Sequence, residues 1–588
     1  MMNENIYSMK KIILSLLMSG LAFCIVEARE VSGTVTCGET KLKGVLVTDG
    51  EHFTQTGKNG KFKFEINDDA DFVYLVTPSG YVADWSTGVP AFYQKAPGVS
   101  KFDFNLQRTA GGNDYNIIAI ADPQMNTERH FEQFSGAPMA DLCRTAQSLT
   151  LPAVGLALGD IAWESFPILK RWGGEIVKTG IPFYPVPGNH DHDYYADGDE
   201  AAIQQYRDII GPENYAFFLG KDLVIVLDNI IYKTACTYDC GYTPEQLEWV
   251  RVLVSKLPSD ADIYVAQHSP VTDWDGGKIR NGNALIDILR GREVLFMSGH
   301  THENNNYVYE KNIKEHNIAA ICGAWWDTQL CTDGTPGGYK VYTKHADKLS
   351  WYYKSWAHGK EYQIQAYGLG EVKTYPNGIA VSVWDQDSDW AVEWYEDGIP
   401  MGKMDQAPIA SPAYGKQIEA IYGVGKVSDW KKPKKCINNF TALPSRGAKN
   451  VVIVAHSPFG KKYTATLELS EVDVRVPVSV VDDMKKAMDE GANTICMDVL
   501  RREDGTAVLT SGVLLSELLD ATEAYTAEMG YSPIRYHFTI HRGPESYDKT
   551  ADAVMQELIY RYISERVTVD TGDRLMKNFI KEKYPEFK

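Results

Sequence analysis

Positive charge is scarce in this chain of 588 residues: 59 Lys and Arg stand against 78 Asp and Glu, a formal charge of −19, and the basic residues nowhere gather into a stripe. That composition excludes nucleic acid as an expected partner, because holding a phosphate backbone needs the opposite field. Long apolar runs are also missing. The stretch Ile12-Ile13-Leu14-Ser15-Leu16-Leu17-Met18-Ser19-Gly20-Leu21-Ala22-Phe23 is too short for a convincing membrane span, so no transmembrane segment is expected in the mature chain. Cysteine is sparse as well, with nine residues in all. Cys236 and Cys240 lie in one loop, as do Cys322 and Cys331. Each pair could close a short loop, with isolated buried thiols as the equal alternative. Neither pair has a second pair and a His nearby, which excludes a structural zinc site.

The apolar run instead has the layout of a targeting signal. Lys10-Lys11 precede it, and Val26-Glu27-Ala28 offers a cleavage site before Arg29. Met9 is a more usual start for such a signal than Met1. Leu21-Ala22-Phe23-Cys24 resembles a lipoprotein box, although the bulky Phe23 argues against lipid attachment. The expectation is an exported protein, periplasmic or extracellular, with envelope association left open. The eight cysteines outside this segment would then sit in an oxidising compartment.

With 44% apolar and 23% charged residues, the composition is that of a globular protein. The length exceeds one core and suggests three or four domains. Around Val186-Pro187-Gly188-Asn189-His190-Asp191 the chain shows a recurring grammar. Apolar runs end on a polar tip: Ile118-Ala119-Ile120-Ala121 on Asp122-Pro123-Gln124, Leu156-Ala157-Leu158 on Gly159-Asp160, Tyr264-Val265-Ala266-Gln267 on His268, and Phe296-Met297-Ser298 on Gly299-His300-Thr301-His302. One such Asp or His would be read as a helix cap. Five in succession are read as buried strands that deliver carboxylate, amide and imidazole to one sheet edge, where open α/β sheets bind ligands. That donor mixture suits borderline first-row dications such as Mn, Fe or Zn, and two such ions need a shared carboxylate.

This ordered set resembles the calcineurin-like metallophosphoesterase superfamily, whose pattern is Asp-x-His, Gly-Asp, Gly-Asn-His-Asp/Glu, His, Gly-His-x-His. The resemblance spans roughly residues 113–350. It implies that Asp122 and His302 hold a first metal, that Asp160 bridges, and that Asn189, His268 and His300 complete a second. A water or hydroxide between the two divalent ions would be the nucleophile. His190 would serve as general acid or phosphate contact, oriented by Asp191. Gln124 stands where the superfamily usually has His; it reaches a metal less strongly than imidazole would, which leaves metal preference at the first site open.

The expected fold is α/β, a metallophosphoesterase β-sheet sandwich flanked by helices, with all-β accessory domains at both ends and an α/β tail. Residues 1–28 are the signal. Short alternating strands over 29–112 resemble a carboxypeptidase-regulatory-like β-sandwich, 113–350 form the catalytic domain, and 351–470 resemble the C-terminal β domain of an exported subfamily. In 471–588 helical runs dominate. Cys496-Met497-Asp498 and Thr510-Ser511 there faintly resemble a glycerophosphodiester phosphodiesterase barrel whose metal site is missing, since Cys496 replaces a Glu and Thr510-Ser511 replace a His-Asp. Trp325, Trp326 and Tyr339 are read equally as pocket walls or as core, and His192 and Asp193 as solvated loop residues.

The function expected from this set is exported, metal-dependent hydrolysis of a small-molecule or envelope-derived phosphomonoester or phosphodiester. One alternative is a binding or structural protein of the envelope in which Gln124 has weakened catalysis. Hydrolysis of a diphosphate linkage is another. The oligomeric state is left unassigned.

Overall fold

The computed structural model describes residues 28–588 except 274, 275, 446, 470–472, 544, 545, 562 and 588. The targeting pattern up to Glu27, with Cys24, lies outside the described residues. Among those described, no helix is long and apolar enough to cross a membrane.

The centre of the molecule is a sandwich of two sheets. Its strands are β1 (Tyr115–Ile120), β2 (Ala153–Leu158), β3 (Phe183–Val186), β4 (Tyr215–Leu219), β5 (Asp222–Val226), β6 (Ile263–Ala266), β7 (Val294–Ser298), β8 (Asn305–Glu310), β9 (Ile313–Asn317), β10 (Gly338–His345) and β11 (Lys348–Ser355). One sheet has the order β3-β2-β1-β10-β11, the other β4-β5-β6-β7-β9-β8. Strands β1, β2 and β3 run parallel, as do β5, β6, β7 and β9. Parallel strands of this kind are covered on both faces and therefore read as unbroken apolar runs; β1, β3, β6 and β7 are buried at every position. Because β10 and β11 pair along their whole length, the sandwich closes at Ser355, past the boundary at 350 that the sequence suggested.

Helices α1 (Glu128–Ser135), α2 (Ala137–Ser148), α3 (Phe166–Ile176), α4 (Asp199–Ile209), α5 (Pro244–Ser255) and α6 (Gly282–Leu289) connect the strands. Their ends are chemically marked. Thr243 and Gln246 form a reciprocal capping box at the start of α5, with Pro244 next to the cap. The two sheets meet through Tyr184 stacked on Phe217, with ring centroids 3.8 Å apart, and through the Tyr115 hydroxyl, which donates to Asp222 at 2.6 Å.

At the N-terminal side, Ala28–Cys37, Thr40–Lys41, Lys61–Asn67 and Lys101–Asn105 make one sheet, and Leu46–Thr48, Phe53–Gln55, Phe72–Val76 and Tyr93–Lys95 another. This unit shares its core with the central sandwich: Phe92 packs on Tyr215 at 4.7 Å, and Arg207 of α4 reaches Asp71 at 3.0 Å. After β11 come two further four-stranded sheets and helix α7 (Pro412–Tyr422). The tail holds the parallel strands Arg475–Pro477, Thr494–Arg501, Arg535–Ile540 and Val567–Asp570, interleaved with helices around an apolar core of its own. All eight cysteines among the described residues are thiols, so neither sequence-adjacent pair forms a bridge; Cys322 and Cys331 are buried in the core.

Candidate metal centre

Asp122, Asp160, Asn189, His268 and His300 each follow the C-terminal end of a parallel strand, so the sandwich places their side chains along one edge. The backbone there is bent into a conformation that side chains other than glycine seldom adopt. Asp122 (φ 51°), Gln124 (43°), Asp160 (50°), Glu164 (53°), His300 (71°), His302 (55°), Trp325 (51°) and Trp326 (65°) all have positive φ. Strain gathered in one place marks a site that the rest of the fold holds against its local preference. Two glycines allow the donors to come so close. A Cβ on Gly188 would lie 2.2 Å from Asp160 Oδ1, and one on Gly299 would lie 2.5 Å from Asp122 Oδ2.

The donors converge as two neighbouring groups. His268 Nε2 lies 3.2 Å from Asp160 Oδ1, 3.2 Å from Asn189 Oδ1 and 3.1 Å from His300 Nδ1. Single donor atoms of Asp160, His268 and His300 all fall within 4.8 Å of one another. On the other side, His302 Nε2 is 3.5 Å from Asp122 Oδ1, and Gln124 Nε2 donates to Asp160 Oδ2 at 2.9 Å. Asp160 is thus the carboxylate common to both groups.

The surroundings prepare these atoms. His268 Nδ1 donates to the Leu158 carbonyl at 2.8 Å, which fixes the tautomer and leaves Nε2 as the donor atom facing the site. Burial opposes the charging of His268, yet the adjacent Asp160 lifts its pKa to about 9. Burial and the neighbouring His268 push His300 down to about 3, keeping that imidazole neutral. Burial works against ionisation of Asp160 too, but His268 and His190 hold its carboxyl well below the usual range. Gln124 Oε1 and His302 Nδ1 are buried without a hydrogen-bond partner. A buried acceptor left bare is costly. Orphaned atoms, close-set nitrogen and oxygen donors and a shared carboxylate together fit a pair of dications.

Three expectations change. Asp191 does not orient His190: its carboxylate turns back to accept from the backbone amides of Ile161 (3.1 Å), Ala162 (2.9 Å) and Gly188 (3.0 Å), pinning two of the metal-tip loops together. The partner of His190 is Glu164, whose Oε1 lies 3.2 Å from His190 Nδ1, while Trp163 packs against the same imidazole at 5.4 Å. His192 is fully buried rather than solvated; Nδ1 donates to the Gly188 carbonyl at 2.7 Å and Nε2 meets Asp228 at 3.1 Å. The aromatic walls divide. Trp325 stacks on His302 at 4.6 Å, Trp326 braces the first loop by donating to the Pro123 carbonyl at 2.9 Å, and Tyr339 is core, bonded to Asp141 and Thr145. Sequence reasoning missed Glu164; its one signal was its place in the loop that starts at Asp160. Asn317 steadies the His300–His302 turn by accepting from Thr301 and donating to the Gly299 carbonyl.

The model described as "Calcineurin-like phosphoesterase" matches residues 116–304, which contain all of these donors. Its companions, "N terminal of Calcineurin-like phosphoesterase" and "C terminal of Calcineurin-like phosphoesterase", match 29–109 and 315–463. The chain belongs to the calcineurin-like phosphoesterases. It is therefore a hydrolase acting on phosphate ester bonds, and the family implies two metal ions, which the donor set fits. Among solved structures, this phosphoesterase is similar to a dimetal phosphatase from Danio rerio at 15% identity, covering 41% of this chain and 96% of that one with a TM-score of 0.32. It is also similar to purple acid phosphatase PPD1 from yellow lupin, Lupinus luteus, at 11% identity, covering 54% and 68% with a TM-score of 0.31. No curated protein matches its sequence.

Proposed function

We propose that this phosphoesterase hydrolyses a phosphomonoester or phosphodiester with two first-row dications, Mn, Fe or Zn, held as the donors are grouped. Asp122, Gln124 and His302 would hold one, Asn189, His268 and His300 the other, with Asp160 between them. When bound, two such ions would supply positive charge for the phosphate oxygens and lower the pKa of a coordinated water. The observation that carries the reading is the convergence of Asn189, His268 and His300 on one side and of Asp122 and His302 on the other about the shared Asp160, with Gln124 Oε1 a buried, unpartnered acceptor beside it.

The protein's own groups supply the rest. His190 stands at the edge of the donor cluster. Burial opposes its charging, but Asp160 and Glu164 raise its pKa, which keeps a proton available for the departing alkoxide. Trp163 and Glu164 fix the direction in which that proton is offered. Asp191 holds the Asp160 loop and the Gly188 turn in register, so that Asp160 and Asn189 keep their separation.

The convergence of every expected donor weighs against a purely structural role for the domain. Lys10-Lys11 and the apolar run after them support export, which cell fractionation checks. A panel of a phosphomonoester, a phosphodiester and a nucleoside diphosphate conjugate, each with Mn, Zn and Fe added separately, tests the substrate reading. Turnover of the diphosphate conjugate alone would replace it with diphosphate-link hydrolysis.

A further inference from the structure

Two ladders of aromatic rings lead outward from the metal centre, one from each functional edge. From His302 the ladder runs to Trp325, stacked at 4.6 Å, and on to Trp430, edge to face with Trp325 at 4.5 Å. From His190 it runs to Tyr194 at 6.5 Å and then edge to face with Tyr195 at 5.5 Å. Each ladder ends in an exposed ring: Trp430 keeps 50% of its surface open and Tyr195 72%.

The Trp430 end is held stiff. Lys431 Nζ sits 4.7 Å from the Trp430 ring and 4.8 Å from the Tyr422 ring, and it is tied to Asp327 and, at 2.7 Å, to the Tyr422 hydroxyl. Asp327 follows Trp325 by two positions, so the lysine clamps both rings of the ladder to the catalytic domain. Beside Trp430 the same segment exposes Ile421, Tyr422 and Val424. Scattered exposed hydrophobics need no explanation, but Tyr422 and Trp430 flank one lysine at the end of a ladder that begins at His302. The strained φ of Trp325 adds that the fold spends local stability to place the ring on which Trp430 rests.

We propose that Trp430, with Tyr195 at the end of the second ladder, sets substrate specificity, and that the group esterified to the phosphate is a flat aromatic one that stacks on these rings. The proposal rests on the phosphoesterase reading above and goes further by naming the class of alcohol. Phosphate recognition belongs to the metal centre; the rings are placed to hold what is attached to it. A rigid edge-to-face pair ending in an open ring suits a planar partner better than a flexible chain, because offset stacking is gained without ordering rotamers.

The test compares 1-naphthyl phosphate, octyl phosphate and glycerol phosphate on the metal-loaded full-length protein and on Trp430→Ala, Trp430→Phe and Tyr195→Ala. The expected result is a KM for 1-naphthyl phosphate raised about tenfold by Trp430→Ala, the scale of one lost stacking contact, with glycerol phosphate unchanged and Trp430→Phe restoring most of the loss. Tyr195→Ala is expected to act in the same direction. Equal losses on naphthyl and octyl phosphate would overturn the aromatic class, and equal losses on all three would make Trp430 a support of the metal centre. No change on any would remove it from the site. If the wild-type protein turned over none of the three esters, the activity reading would fail; calorimetric binding of 1-naphthyl phosphate to the Mn-loaded wild type and Trp430→Ala would still decide the platform, equal affinities overturning it.

Discussion

Glu164 Oε1 lies 3.2 Å from His190 Nδ1, although the sequence places Asp191 directly after that histidine. The pairing gives the two carboxylates different duties. Glu164 acts on the imidazole that faces the site, whereas Asp191 acts on backbone amides behind it. Glu164→Gln is expected to retain both metals and to slow hydrolysis of alkyl phosphates by about 10- to 100-fold, below the full range for a positioned proton donor. Esters of acidic phenols should be nearly unaffected, since their leaving groups need no proton. Equal losses on alkyl and aryl esters would assign Glu164 to binding rather than to His190. Asp191→Ala, in contrast, should lower thermal stability and metal content together, because three buried amides lose their acceptor.

His190→Ala should keep both metals and lose roughly 10²- to 10⁴-fold in rate. Asp160→Ala should abolish turnover and at least halve the bound metal, because its carboxylate is the one common to both donor groups. Metal analysis of the two purified variants separates the roles. A metal-free His190→Ala protein would place that histidine among the ligands instead.

Gln124→His is expected to tighten the first metal. An imidazole would replace an amide oxygen that is buried and bare, and imidazole is the stronger donor for these dications. Metal titration followed by activity checks it. Unchanged affinity for both Mn and Zn would mean that the Gln124 side chain turns away when the ions are bound.

Much of this site is legible in the chain itself. Strands buried on both faces must be apolar, so their polar ends stand out as Asp122, Asp160, Asn189, His268 and His300. What escaped notice depends on loop geometry. Asp191 adjoins His190 in sequence, yet the turn at Gly188 sends its carboxylate back to the amides of the Asp160 loop. His192 looked solvated because its partner, Asp228, comes from beyond the end of another strand, which no local pattern brings near. Trp430 lies on a different domain from the donors, and no local pattern ties it to His302. The bounds of the central sandwich were blurred because β10 and β11 alternate polar and aromatic residues much as the accessory sheets do.

Glu315 offers a test of the core beneath the site. Its carboxyl is fully buried, and desolvation outweighs the donors around it, namely Tyr309, Ser298 and the Val271 amide, with Lys278 attracting from further off. The result is a pKa raised from 4.5 to about 7. The folded protein therefore keeps a proton that the unfolded chain releases between those values. Stability from this group is full below pH 4.5, falls as pH rises towards 7 and stays low above it, by a total on the order of 3 kcal/mol. Glu315→Gln should match the wild type near pH 4.5 and gain on it by pH 8. Denaturant titrations of both proteins at the two pH values check this, and a difference that is the same at both would contradict it.

The tail should be dispensable for chemistry. Every donor lies before residue 303, and the tail carries an apolar core separate from the one shared by the central sandwich and the N-terminal sheets. Its described link to the rest includes Asn377, whose backbone amide donates to Ser532 at 3.0 Å and whose side chain donates to the carbonyls of Pro533 at 2.9 Å and Asn493 at 3.2 Å. Truncation after Leu469 would open these groups to water, which satisfies them at little cost, since a solvated polar group loses only the net value of its bond. In the tail, Cys496 lies inside the strand Thr494–Arg501 and the Ser511 hydroxyl is engaged with the Ser479 carbonyl at 2.6 Å, so neither supplies a carboxylate or imidazole donor. Asp498 and His541 do meet at 2.7 Å, but as an exposed pair. The truncated protein is therefore expected to fold, to bind metal and to hydrolyse a small chromogenic ester at close to the full-length rate. A raised KM confined to large substrates would show that the tail helps to hold them. A soluble, metal-loaded truncation without activity would show instead that the tail completes the active site.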